Sequence, residues 1–93
     1  MKVVGRDRIQ EFANLHADIK IPIYAWLKEA EEASWQTPAD VKARYPTASF
    51  LSDNRVVFNI KGNRYRLEVK INYKNKIVLI KRMGTHADYS KWQ

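Results

Sequence analysis

The chain has no cysteine among its 93 residues, so disulfides, thiolate metal ligands and cysteine nucleophiles are all excluded. Glycine and proline are also scarce, at three each, which does not suit a disordered or fibrous chain. The only histidines, His16 and His86, lie far apart and without a carboxylate cluster, so no metal site and no cofactor are expected. There is no P-loop, no GxGxxG and no GxSxG. No apolar run approaches the roughly 18 residues that would cross a bilayer. The first residues, MKVVGRDRIQEF, meet charge after one short apolar pair and so lack a signal-peptide core. These absences predict a soluble cytoplasmic protein with no membrane partner. The length suits one domain over residues 1–93.

Acidic residues are scarce in the second half. Residues 1–53 hold seven Lys/Arg against eight Asp/Glu, and residues 54–93 hold ten against only Glu68 and Asp88. The net charge of +7 therefore belongs entirely to the C-terminal half. A field of one sign attracts a polyanion and speeds its encounter, which makes nucleic acid the favoured partner. A face for an acidic protein, or a merely solubilising surface, is the plainer alternative.

What is present divides by periodicity. From Arg6 onward Ile9, Phe12, Ala13 and His16 share one helical face, and Ile19, Ile23, Trp26, Leu27 and Ala30 form a second stripe. Asp18 is read as the N-cap of that second helix, with Pro22 in its first turn. TPADVKARYP reads as a short third helix, capped by Thr37, opened by Pro38 and stopped by Pro46. The period then changes to two. RVVFNI (55–60), RYRLEVKINY (64–73) and KIVLIKRM (76–83) read as three strands of an antiparallel meander, and MKVV as a short edge strand. The expected fold class is α+β: two N-terminal helices and a short third one packed on a small twisted antiparallel sheet, with a C-terminal helical turn.

In the middle strand Tyr65, Leu67, Val69, Ile71 and Tyr73 alternate with Arg64, Arg66, Glu68, Lys70 and Asn72, so one face is apolar and the other mostly cationic. Such a row, joined by Lys81 or Arg82 from the next strand, can neutralise successive phosphates, and tyrosines or a tryptophan at the rim can stack on bases. A solvated face that discourages edge pairing would look similar. Gly84 and Thr85 read as a strand-to-helix break with Thr85 as cap, which puts His86 and Tyr89 on one face of the following turn. Metal-free cleavage of RNA needs a base for the 2′-OH proton, cations for the growing phosphate charge and an acid for the leaving oxygen. His, Tyr, Lys and Arg around one concavity can fill those roles, whereas a lone histidine at a helix start is more often structural. Asn59, Gly62 and Asn63 read as hairpin residues that adopt positive φ cheaply. Trp26 and Trp35 read as packing or as a partner contact.

The stretch from Arg55 to Trp92 resembles the HigB-type toxins of bacterial type II toxin–antitoxin systems, relatives of the RelE-like messenger RNA interferases. The shared pattern, F-N-x-x-G-N-x-x-R followed by T-H-x-x-Y, falls on Phe58, Asn59, Gly62, Asn63, Arg66, Thr85, His86 and Tyr89. Val41, Lys42, Tyr45 and Pro46 extend it upstream. The resemblance implies a metal-independent endoribonuclease that cuts mRNA on translating ribosomes and leaves a 2′,3′-cyclic phosphate. It implies a HigA-type antitoxin as partner, with operator DNA reached only through the toxin–antitoxin complex. On this reading Arg66 holds the scissile phosphate, Lys81 adds charge stabilisation, and His86 and Tyr89 transfer protons. Lys61, Arg64, Lys70 and Arg82 position the RNA backbone. The competing readings are a non-catalytic RNA- or ribosome-binding module, and a basic face made chiefly to dock an acidic regulator.

Overall fold

A computed structural model describes residues 1–92. Its elements run β1 (Lys2–Val4), α1 (Arg6–Leu15), a 3-10 turn (Ala17–Ile19), α2 (Lys20–Glu32), α3 (Pro38–Arg44), β2 (Ser49–Phe50), β3 (Arg55–Ile60), β4 (Tyr65–Asn72), β5 (Ile77–Thr85) and α4 (His86–Tyr89). The five strands form one sheet in the order β1-β5-β4-β3-β2. Strands β2 to β5 pair antiparallel, as the short turns between them require, whereas β1 joins β5 in parallel. A parallel partner needs a crossover, and the helical first half of the chain supplies it. The expected α+β arrangement holds, with an edge strand of the opposite sense.

Apolar alternation puts Val56, Phe58, Ile60, Tyr65, Leu67, Val69, Ile71, Val78 and Ile80 on one face, where Ile9, Ala13, Ile23, Trp26, Leu27, Ala30 and Val41 of the helices meet them. Phe58 is the aromatic centre, with Trp26 at 5.3 Å, Tyr45 at 5.1 Å and Trp35 at 6.3 Å between ring centroids. Both tryptophans are core residues, Trp26 3% and Trp35 6% exposed. The amino group of Met1 donates to the carbonyls of Ala30, Glu31 and Ala33, placing a cation at the C-terminal end of α2.

Both expected N-caps, Thr37 and Thr85, are present, each as part of a capping box. Thr37 and Asp40 exchange bonds at the start of α3, and Thr85 and Asp88 do so at the start of α4. Two local readings need correction. Asp18 does not cap α2, whose N-cap position is Ile19 with no side-chain bond; its carboxylate reaches the β3–β4 turn instead. In that turn the positive φ angles belong to Lys61 and Gly62, while Asn59 lies within β3 and Asn63 has no positive φ. A second left-handed pair, Asp53 and Asn54, closes a tight hairpin and brings the two-residue strand β2 onto β3.

Candidate active site

The sheet face turned away from the helices carries the cations. On β4, Arg66 lies opposite Asn59 of β3 and Gly84 of β5, and Glu68 lies opposite Val57 and Arg82. Between Glu68 and Val69 the β4–β5 register shifts, leaving Lys81 as the extra residue of a bulge. The bulge keeps Ile80 in the core and turns Arg82 toward Glu68.

Most of these cations already have a carboxylate. Arg82 and Arg55 flank Glu68 at 3.1 and 3.8 Å, and Glu68 is 4% exposed. Lys61 and Arg64 both reach Asp18, at 3.1 and 2.9 Å, and the Tyr65 hydroxyl donates to the same carboxylate at 2.5 Å. The Tyr65 hydroxyl, then Lys61 and Arg64, hold the Asp18 carboxyl down at about 2, and the same contact raises the Tyr65 phenol.

Arg66, Lys70 and Lys81 have none among the described residues, and of these three only Arg66 is buried. It is only 8% exposed and, among the described residues, makes no ion pair with a carboxylate. Its Nη1 donates to the carbonyls of Asn63 and Tyr65 at 2.8 and 3.3 Å, and its Nη2 lies 3.0 Å from His86 Nδ1. The Tyr89 ring stands over the guanidinium, 5.2 Å to its centroid. A buried cation without a counter-charge is costly to hold, and a bound anion removes that cost. The carbonyl bonds fix the plane of the guanidinium, a fork of donors whose chemistry suits a phosphate-sized acceptor.

The same bond defines the state of His86. A guanidinium has no lone pair to offer, so Nδ1 must accept, and the ring proton then sits on Nε2. The His86 ring is exposed at the start of α4, whose backbone is tied to the hairpin by His86 N–H donating to the Arg64 carbonyl at 2.9 Å.

Of the residues expected at a catalytic centre, Arg66, His86 and Tyr89 come together. Lys81 does not join that contact cluster: it is exposed at the bulge and lines a depression with Val4, Gly5, Asp7 and Arg8. Lys70 is exposed and lies farther along β4, in a depression with Asn54, Ile71 and Leu79. Lys61 and Arg64 sit at the hairpin beside Asp18, and Arg82 is committed to Glu68 and to the Trp92 ring, 4.2 Å from its centroid. Asp18, Glu68, Gly84 and Trp92 are the residues to which sequence reasoning assigned no part in the site. Glu68 left a trace, as the one acid in a cationic alternation; Asp18 left none, because its partners are more than forty positions away. No group of three or more His, Asp or Glu residues able to hold a metal ion occurs among the described residues.

The sequence profile of the HigB toxins, described as the RelE-like toxic component of a toxin–antitoxin system, matches residues 19–92. The match begins at the end of the 3-10 turn and takes in α2, α3, the four antiparallel strands and α4, so it includes Arg66, His86 and Tyr89. A protein of Escherichia coli O6:H1 (strain CFT073), named mRNA interferase HigB, is 24% identical across 98% of this chain and 90% of its own length. The chain belongs to the HigB toxins, the RelE-like toxic components of toxin–antitoxin systems.

Proposed function

We propose that residues 1–93 act as one toxin domain that cleaves messenger RNA without a metal ion, on translating ribosomes, and is neutralised by a HigA-type antitoxin. Arg66 carries the reading: a buried guanidinium with no carboxylate partner among the described residues, touching an exposed histidine and a tyrosine. The name of the E. coli relative, mRNA interferase, supports the same chemistry.

A phosphate oxygen competes with His86 for the Arg66 Nη2 proton while Nη1 keeps its carbonyl bonds. His86 Nδ1 is then free to accept the 2′-OH proton. The 2′-oxygen bonds to phosphorus, the P–O5′ bond breaks, and the leaving 5′-oxygen takes a proton from the Tyr89 hydroxyl. The products are a 2′,3′-cyclic phosphate and a 5′-hydroxyl end. Arg66 stabilises the charge that grows on the phosphoryl oxygens. Lys70 and Lys81, exposed and free of carboxylates among the described residues, guide the approach of the RNA backbone.

The test is primer extension on a reporter mRNA with wild-type protein or His86→Ala, with and without translating ribosomes. Cuts by the wild type alone, and only with ribosomes present, are expected. Cuts in naked RNA would retain the nuclease and remove the ribosome. No cuts under any condition would leave a basic binding domain.

A further inference from the structure

The T-H-x-x-Y pattern stops at Tyr89, but the contacts that hold its histidine and tyrosine do not. After α4 the chain folds back over the sheet, and the space it enters exists because residue 84 has no side chain. A Cβ at Gly84 would lie 2.8 Å from both Asp88 Cβ and Trp92 Cζ2. Into this gap comes the half-buried Trp92 ring, with the Arg82 guanidinium over it at 4.2 Å. The Trp92 carbonyl accepts from Arg82 Nη2 at 3.5 Å, the long limit of a hydrogen bond. Arg82 itself is anchored by Glu68, through Nε at 3.2 Å. On its other side Trp92 meets Tyr89 edge-on, with 5.5 Å between centroids. The contacts thus run from buried Glu68 through Arg82, Trp92 and Tyr89 to Arg66 and His86.

We propose that Trp92 is a positioning residue for the RNA-cleaving centre: clamped by the Glu68–Arg82 pair over Gly84, it fixes Tyr89 against Arg66 and so sets the Arg66–His86 contact. The α4 turn has only four residues and its own capping box, and a single helical turn holds its place poorly without tertiary packing. Arg82, on this account, serves chiefly to hold this clamp, its Nε bonded to Glu68 and its Nη2 shared between Glu68 and the Trp92 carbonyl. The inference rests on the nuclease reading for its effect on rate but not for its effect on geometry.

The experiment compares wild type, Trp92→Ala and Trp92→Phe in two ways. Steady-state cleavage of mRNA on ribosomes separates kcat from KM. Trp92→Ala should lower kcat by about ten- to a hundredfold, the cost of a misplaced catalytic group, at unchanged KM, and Trp92→Phe should recover most of it. A raised KM with unchanged kcat would overturn the proposal and make Trp92 a direct RNA contact. Nitrogen NMR of the histidine rings reads the geometry without RNA. The His86 Nδ1 signal should lose its hydrogen-bonded position in Trp92→Ala and regain it in Trp92→Phe, while His16, stacked on Phe12 at 4.4 Å, stays fixed as the internal control. An unmoved His86 signal would overturn the proposal. If the wild type cuts no RNA, the nuclease reading fails and the histidine signals still decide the positioning.

Discussion

Arg66 Nη2 donates to His86 Nδ1 across 3.0 Å, and the guanidinium making this bond is buried with no carboxylate partner among the described residues. Arg66→Ala should reduce mRNA cleavage by about a hundredfold, or about 3 kcal/mol, the usual cost of losing one donor to a developing oxyanion. Arg66→Lys should recover little of it. One ammonium cannot keep the Asn63 and Tyr65 carbonyls and still present a second, planar donor to the phosphate. Cleavage rates of the two variants, with circular dichroism as the fold control, check both expectations.

Asp18 ties the 3-10 turn to the β3–β4 hairpin through Lys61, Arg64 and Tyr65. Its carboxyl is held down at about 2 in the folded protein, from an ordinary value of 3.8, chiefly by the Tyr65 hydroxyl. A depressed acid stabilises the fold above its unfolded value and loses that contribution as pH falls through the folded one. The melting-temperature gap between wild type and Asp18→Asn should therefore be full near neutrality and close between about pH 4 and pH 2. Melts of both proteins across that range check it.

The same substitution separates stability from RNA affinity. Freed of Asp18, Lys61 and Arg64 become two more cations for phosphates, so Asp18→Asn should bind a single-stranded RNA more tightly at low salt. Its affinity should also fall more steeply with salt, by up to about 0.7 in log–log slope for each added phosphate contact. Binding measured at several salt concentrations reads the slope directly.

The parts of this architecture that announce themselves in sequence are those whose signal is local. β3 to β5 declare themselves by alternation, α3 and α4 by the boxes at Thr37 and Thr85, and the Arg66–His86–Tyr89 grouping by a motif carried on one hairpin and the turn beside it. β2 is two residues long, and only the Asp53–Asn54 turn betrays it. The parallel pairing of β1 depends on where two helices return the chain, which no local period encodes. Asp18 shows the competition plainly. An aspartate before a helix looks like a cap, but three partners on a distant hairpin outbid one backbone N–H. Lys61 adopts a positive φ as well as Gly62, so the β3–β4 turn places two left-handed residues in succession where the sequence shows one glycine.

Glu68 is a nearly buried carboxylate between Arg55 and Arg82, so removing its charge leaves two cations facing each other. Both arginines retain access to solvent, which limits the damage, and Glu68→Gln should cost on the order of 1–3 kcal/mol. For a domain of this size each kcal/mol corresponds to about 4–8 °C in Tm. Thermal melts check the magnitude, and high salt should narrow the gap by screening the freed arginines.

Gly84→Ala places a methyl group where nothing can yield cheaply. Its Cβ would stand 2.8 Å from Asp88 Cβ, within the capping box that starts α4, and equally close to the Trp92 ring. The φ of Gly84 is not in the left-handed region, so the strand itself tolerates alanine and the strain falls on the C-terminal turn. β4 and β5 therefore keep their pairing while α4 is pushed away from Arg66. The expected result is a modest loss of stability, within the 1–3 kcal/mol or so typical of overpacking, with a much larger loss of cleavage. Denaturant melts and mRNA cleavage measured on the same preparation check it. Equal activity in Gly84→Ala and wild type would mean that the turn need not lie on the sheet for His86 and Tyr89 to act.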